Sequence, residues 1–301
     1  MSVLEGVNWL QLLVTAIAMG CIYSLIATEY TLIYNATGLV NFAHESFIVL
    51  GAYIFAGTFE RALQFPHWLS ILLTIISMAA FGTLVASTIL NPLRNLQFVT
   101  YAMFGTMMLS RIIIEVCRLS WGSLPFTVKG FLRESINLGS TVLSESYIYI
   151  IIISIIVIAA LQAFFKLTKA GKAMICVSQN KDAAALMGIN VTASINLTVA
   201  ISSIICGIVG ILCAPLFNVS SNMVTSCATK GFCAGVIGGF GSYPGAIIGG
   251  ILIGLIEQFG IIFIPSVWKD ALSFGLMIIF LLIRPGGIIK AKKGISTRGS
   301  R

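Results

Sequence analysis

Residues 147–165 read YIYIIIISIIVIAALQAFF, nineteen consecutive positions without a charge. A helix needs about 20 such residues to cross the roughly 30 Å hydrocarbon core of a bilayer, so this stretch predicts a transmembrane helix. Working outward, comparable stretches lie at 9–33, 40–59, 68–90, 98–116 and 195–217. Residues 221–283 are almost continuously apolar, broken only at 241–245 and 264–266 into three pieces ending at 240, 264 and 283. The predicted fold is an all-α polytopic transmembrane helical bundle of about eight or nine membrane segments, some broken or re-entrant. The glycine-rich seventh piece decides between the two counts, and the short first loop, 34–39, makes the first pair a candidate for a break. Residues 1–301 form a single membrane domain.

Composition excludes the competing classes. Of the 301 residues 58% are hydrophobic and 9% charged, against about 25% charged in an ordinary soluble domain. Too few polar groups remain to cover a soluble globule, and disorder or a nucleic-acid module is excluded by the same numbers. The net charge of +8 is concentrated in loops and in a basic tail, 284–301, that carries six Lys and Arg. Placing that tail in the cytoplasm puts eleven basic residues inside and five outside, the bias expected of cytoplasmic loops. Nine crossings then put the N-terminus outside; eight reverse it. Residues 1–6 lack a basic region and a small-residue cleavage site, so the first apolar stretch is expected to be retained. The seven Cys form no Cys-x-x-Cys pair and have no nearby His, which predicts buried, unpaired thiols and no metal site.

Two segments carry functional signals. Gly238, Gly239, Gly241, Pro244 and Gly245 fall in GGFGSYPG, within a run of small residues at four-residue spacing. Such a run lets helices pack closely in lipid, and also suits a hinge beside a translocation path. The loop at about 166–192 contains a polar start at 179–182, an alanine run and a stop at Gly188, the marks of a short capped helix. Asp182, Ala183, Ala184 and Gly188 match the Glu-Ala-Ala-x-x-x-Gly pattern of ABC importer permeases with Asp in place of Glu, and Leu186 and Met187 supply apolar contact.

A longer resemblance runs through the chain. GCIYSLIA at 20–27, YTLIY at 30–34, TGLVNFAHES at 37–46 and GAY at 51–53 are followed by AAALMGI at 183–189, APLF at 214–217, GGFGSYPGA at 238–246 and the Arg-Pro-x-Gly at 284–287. In this order they resemble branched-chain amino acid ABC permeases of the LivH type. The resemblance implies a multi-pass permease of the bacterial cytoplasmic (inner) membrane with a cytoplasmic C-terminus. It implies a homologous second permease (LivM-type), two cytoplasmic ABC ATPases and a periplasmic or lipid-anchored solute-binding protein as partners, besides membrane lipid. No cofactor would be bound by this chain; ATP and Mg would be used by the partner ATPases. The sequence departs from the pattern at Glu29 and Glu45, where the family usually shows Gly, and at Ser46, where it usually shows an acid.

Ionisable groups inside spans are costly and need partners, water or a proton. Arg111 and Glu115 are spaced to pair on one helix face. Glu257 lies deep in the eighth span, in a packing or a pathway role. Glu29, Asn41, His44 and Glu45 are the candidates for the translocation path, with Glu45 alternatively capping a helix. An ion-coupled secondary transporter using intramembrane carboxylates is the alternative reading; it leaves the Asp-Ala-Ala loop without a purpose. An enzyme is disfavoured, with only two His, at 44 and 67, and no constellation of acid, base or nucleophile. The sequence contains no Gly-x-x-x-x-Gly-Lys-Ser/Thr, so ATP chemistry must come from a partner.

Overall fold

Helix α1 (Trp9–Thr37) is the axis of the molecule: its 29 residues span about 43 Å, and from Ala18 to Ile33 it is buried on all sides. The computed structural model describes residues 8–94, 98–128, 130–132, 135–138, 141–263 and 265–289. After a turn comes α2 (His44–Tyr53), continued by a π-helical stretch, Ile54–Ala62. Next, α3 (His67–Val85) leads through a π-helical stretch, Ala86–Leu90, into α4 (Asn91–Arg94). Then follow α5 (Val99–Trp121), α6 (Glu145–Leu167), and two short helices, α7 (Lys169–Gln179) and α8 (Lys181–Leu186). The last four are α9 (Val191–Phe217), α10 (Thr225–Gly238), α11 (Tyr243–Gly260) and α12 (Lys269–Ile283), the last preceded by a 3-10 turn at Ser266–Trp268.

The chain is thus an all-α helical membrane protein. Among the described residues five segments, Trp9–Thr37, His67–Leu93, Glu145–Leu167, Val191–Phe217 and Tyr243–Gly260, are long and apolar enough to cross a bilayer by themselves. The 14-residue α10 and 15-residue α12 reach only about 21–23 Å. The loop at 117–146 departs from an all-helical reading. Strands β1 (Ser135–Leu138) and β2 (Thr141–Ser144) pair antiparallel there. Phe126 and Val219 also exchange backbone hydrogen bonds of 3.1 and 2.8 Å, which tie this loop to the one after α9. Both devices satisfy backbone groups that an extended loop would leave open.

Small residues set the helix spacing. A Cβ on Gly250 of α11 would lie 2.3 Å from the Ser24 backbone nitrogen of α1, and one on Gly254 would lie 2.4 Å from the Gly20 Cα. The two backbones are in contact, and Ser24 Oγ donates to Ile247 O across the gap at 2.8 Å. In lipid, where burying apolar surface gives no drive between helices, such close packing and a bridging hydroxyl are what hold two helices together. The same device joins α2 to α9: a Cβ on Gly51 would sit 2.7 Å from the Gly207 Cα. The sequence reading placed the glycine groove only in the C-terminal third; it continues through the centre of the bundle.

Several boundaries shift for local reasons. The second span, read from residue 40, becomes helical at His44, because Asn41 Oδ1 accepts from the Ala43 N–H at 3.0 Å and holds a turn first. The anticipated Arg111–Glu115 pair is replaced by Glu115 with Arg118, at 2.9 Å, leaving Arg111 exposed on α5. Six Cys are buried as free thiols and Cys176 is exposed. Residues 1–7 and the greater part of the basic tail, 290–301, lie outside the described residues.

Candidate functional site

The loop between α6 and α9 is built as a rigid, capped pair of helices. Thr168 Oγ1 accepts from Gly171 N at 2.9 Å and starts α7. Asn180 Oδ1 accepts from both Asp182 N and Ala183 N at 3.0 Å and starts α8, the side-chain cap that satisfies open amides at a helix N-terminus. At the far end Gly188 takes φ +81°. The N–H of Ile189 then reaches Ala184 O and that of Gly188 reaches Ala185 O, both at 3.0 Å, the hydrogen-bond pattern of a Schellman stop. Ala184 packs inward, while Leu186 and Met187 are 89% and 83% exposed. Asp182 and Ala183 are exposed beside them. Lys181 Nζ donates to Thr37 O at 2.8 Å, joining α8 to the end of α1.

The Gly-rich break separates α10 from α11. Gly239 and Gly241 have φ of +107° and +95°, in the region favourable only to glycine. Ser242 Oγ caps α11 through Gly245 N at 3.3 Å, and Pro244 occupies its first turn. A Cβ on Gly238 would be 2.0 Å from Gly245 O, so the two helices touch where the chain reverses. The last carbonyls of α10 are satisfied from outside the helix. Ile288 N reaches Ile237 O at 2.9 Å and Ile289 N reaches Gly238 O at 3.0 Å. Asn35 Nδ2 of α1 donates to Gly241 O at 3.0 Å, placing this break beside the same end of α1 that Lys181 holds.

The candidates near the first turn divide by burial. Glu29 and His44 are interior and in direct contact, between α1, α2 and α9. Ser202 Oγ donates to Glu29 Oε1, and Cys206 Sγ lies 3.7 Å from His44 Nδ1. The Tyr30 ring packs on the imidazole with centroids 4.2 Å apart. Asn41 is buried in its turn, whereas Glu45 is partly open and accepts from Thr225 Oγ1 of α10 at 2.5 Å. Ser202 and Cys206 were not expected here; no local spacing links them to residues more than 160 positions away.

A second polar cluster joins four helices. Glu257 of α11 accepts from Tyr23 Oη of α1 at 2.7 Å and from Lys230 Nζ of α10 at 2.8 Å. Lys230 also meets Asp270 of α12 at 2.8 Å, and Ser226 Oγ donates to the same carboxylate at 3.1 Å. Lys230 is 4% exposed. A lysine and a glutamate in adjacent apolar segments are each other's natural partners, and that signal was available in the sequence.

Comparison with known proteins shows the family. The family model described as branched-chain amino acid transport system / permease component matches residues 12–281. The permease protein BraD of Pseudomonas aeruginosa is 30% identical over 298 residues, covering 95% of this chain and 97% of its own. LivH of Salmonella typhimurium is 29% identical over 296 residues, with 93% and 95% covered. A LivH protein of Methanocaldococcus jannaschii is 26% identical over 303 residues, with 91% of each covered. Among solved structures, PsaBC from Streptococcus pneumoniae in complex with Fab aligns over 97% of this chain and 95% of that one, at 11% identity and a TM-score of 0.48. With a family model matched over nine-tenths of its length, the chain belongs to the branched-chain amino acid transport permease family, as a membrane-embedded transport subunit of ABC systems.

Proposed function

We propose that this permease imports branched-chain amino acids across a bacterial cytoplasmic membrane. In this reading a solute-binding protein delivers the substrate, a homologous second permease of the LivM type completes the path, and two cytoplasmic ABC ATPases use ATP and Mg2+. The single observation that carries the reading is the bare apolar end of α8. Leu186 and Met187 project from a helix capped at both ends, on a loop where nothing among the described residues covers them. Exposed apolar side chains on a rigid element mark an interaction surface. An ATPase gripping α8 would pull on α1 through Lys181 and Thr37, and on the Gly238–Gly245 break through Asn35 and Gly241. Coupling needs such a contiguous mechanical connection.

Nine membrane segments with the N-terminus outside fit this arrangement. The C-terminal ends of α1 and α6, the start of α9 and residues 288–289 then share the cytoplasmic side with α8. Glu45, the partly open member of its group, is the one suited to line the path; Glu29, Asn41 and His44 act from the interior. The ion-coupled alternative is not favoured: Glu257 is occupied by Lys230 and Tyr23, and Glu29 by Ser202 and His44.

Orientation has a direct test in the native protein. Cys176 is the exposed thiol among buried ones, so a membrane-impermeant maleimide will label it in inside-out vesicles and leave it untouched in intact cells. Leu124→Cys, at a position 83% exposed in the loop after α5, will show the opposite pattern in a Cys176→Ser background. Reversed labelling would invert the topology. Function is tested by leucine uptake into proteoliposomes holding the full complex. Uptake will require ATP and stop when the ATPase is inactivated with ion gradients intact; gradient-driven uptake by this chain alone refutes the reading.

A further inference from the structure

We infer that Glu29, His44 and Cys206 form a site for one borderline divalent metal ion of the zinc class. The three side chains come from α1, α2 and α9 and are 1%, 0% and 1% exposed. One ligand atom from each, a Glu29 carboxylate oxygen, His44 Nδ1 and Cys206 Sγ, lies within 4.8 Å of the other two. The 3.7 Å between Sγ and Nδ1 is close to the edge of a tetrahedron with zinc–sulfur and zinc–nitrogen bonds of normal length, about 3.5 Å. The Glu29 carboxylate and the His44 imidazole already face each other there. Glu29 Oε2, fully buried, makes no hydrogen bond of acceptable geometry among the described residues. Unsatisfied buried acceptors of this kind are rare and mark a place suited to an ion or a water.

The donor set decides the class of ion. A thiolate, an imidazole and one carboxylate suit zinc and its neighbours and are poor ligands for magnesium, calcium or manganese, which prefer oxygen. Charge supports the same choice. A divalent ion with one thiolate and one carboxylate sums to zero, which avoids the cost of a net charge in the bilayer interior. Binding replaces the Cys206 thiol proton and any proton shared by Glu29 and His44, and these protons leave to solvent. Ser202, already against Glu29, stands where it can orient the carboxylate or approach the fourth position. The carboxylate that departs from the family pattern at residue 29 thereby gains a purpose: it completes a bolt between α1, α2 and α9, independent of which solute is carried.

The test uses the permease purified without a histidine tag, together with its partner subunits, in a Cys176→Ser background. After incubation with zinc chloride and gel filtration, mass spectrometry of the metal will find one zinc per permease chain. Cys206→Ser and His44→Ala will retain less than a tenth of that, and Glu29→Gln will bind at least ten-fold more weakly. Loading with cobalt instead will produce a sulfur-to-cobalt band in the near ultraviolet that Cys206→Ser abolishes. The wild-type measurement decides even if a variant fails to fold. Retention of no stoichiometric metal by the wild type, equal retention by folded Cys206→Ser, or cobalt bound without the sulfur band each overturns the site and leaves a buried Glu29–His44 ion pair. Leucine uptake by the same complex is read separately, so failure of the metal site is distinguishable from failure of the transport reading.

Discussion

Gly188→Val will leave the permease inserted at its normal level but reduce both co-purification with the ATPases and transport by at least ten-fold. Gly188 stands at φ +81°, and a β-branched residue held in the left-handed region costs on the order of 1–3 kcal/mol. A Cβ there meets nothing within 4 Å, so the strain is conformational and is relieved by unwinding the stop. Unwinding surrenders the bonds from Ile189 N to Ala184 O and from Gly188 N to Ala185 O, and with them the direction in which Leu186 and Met187 project. Because α8 has only six residues, it has no spare turn to absorb the loss. Gly188→Asn separates geometry from size, since asparagine tolerates positive φ. It will keep most of the docking, whereas a valine variant that docks and transports normally would reduce α8 to a linker.

The elements legible in the sequence are those whose signals are local. Tyr147–Phe165 could be read as a span because its apolar run is uninterrupted, and it lies within Glu145–Leu167. The α10–α11 reversal was legible because Gly239, Gly241 and Pro244 fall in one short stretch and each restricts the backbone in its own way. The caps of α8 were legible for the same reason: Asn180 and Gly188 bracket an alanine run. What escaped was long-range. Glu257 finds Tyr23 across 234 residues, and Cys206 finds His44 across 162. Neither pairing leaves a periodic trace, because each depends on which helix faces are brought together by glycine contacts such as Gly51 with Gly207. Arg111 and Glu115 show the converse error. Correct spacing made a pair plausible, yet Arg118 was equally well placed and took the carboxylate.

Lys230→Met will destabilise the permease by about 3–5 kcal/mol, the usual cost of removing one partner from a buried ion pair, and will lower its thermal unfolding temperature in detergent accordingly. Lys230 is 4% and Glu257 3% exposed, so water cannot replace the lost ammonium. The Glu257 carboxylate would keep Tyr23 at 2.7 Å and Lys269 at 3.9 Å, but one hydrogen bond from a neutral donor and a lysine beyond hydrogen-bond reach do not satisfy a buried carboxylate. The penalty is therefore the stranded carboxylate rather than the absent lysine, and this distinction can be measured. Lys230→Met combined with Glu257→Gln removes the stranded charge and will recover more than half of the lost stability. Asp270→Asn will cost about 1 kcal/mol or less, because that side chain is 56% exposed and surface partners contribute little. If the double variant is no more stable than Lys230→Met alone, the four-helix junction is held by packing around the lysine stem and the charges are incidental to it. If it recovers as expected, the junction of α1, α10, α11 and α12 is held by neutralised charge. The tight α10–α11 reversal at Gly238–Gly245 is then one end of a helix pair whose other end is anchored by an ion pair.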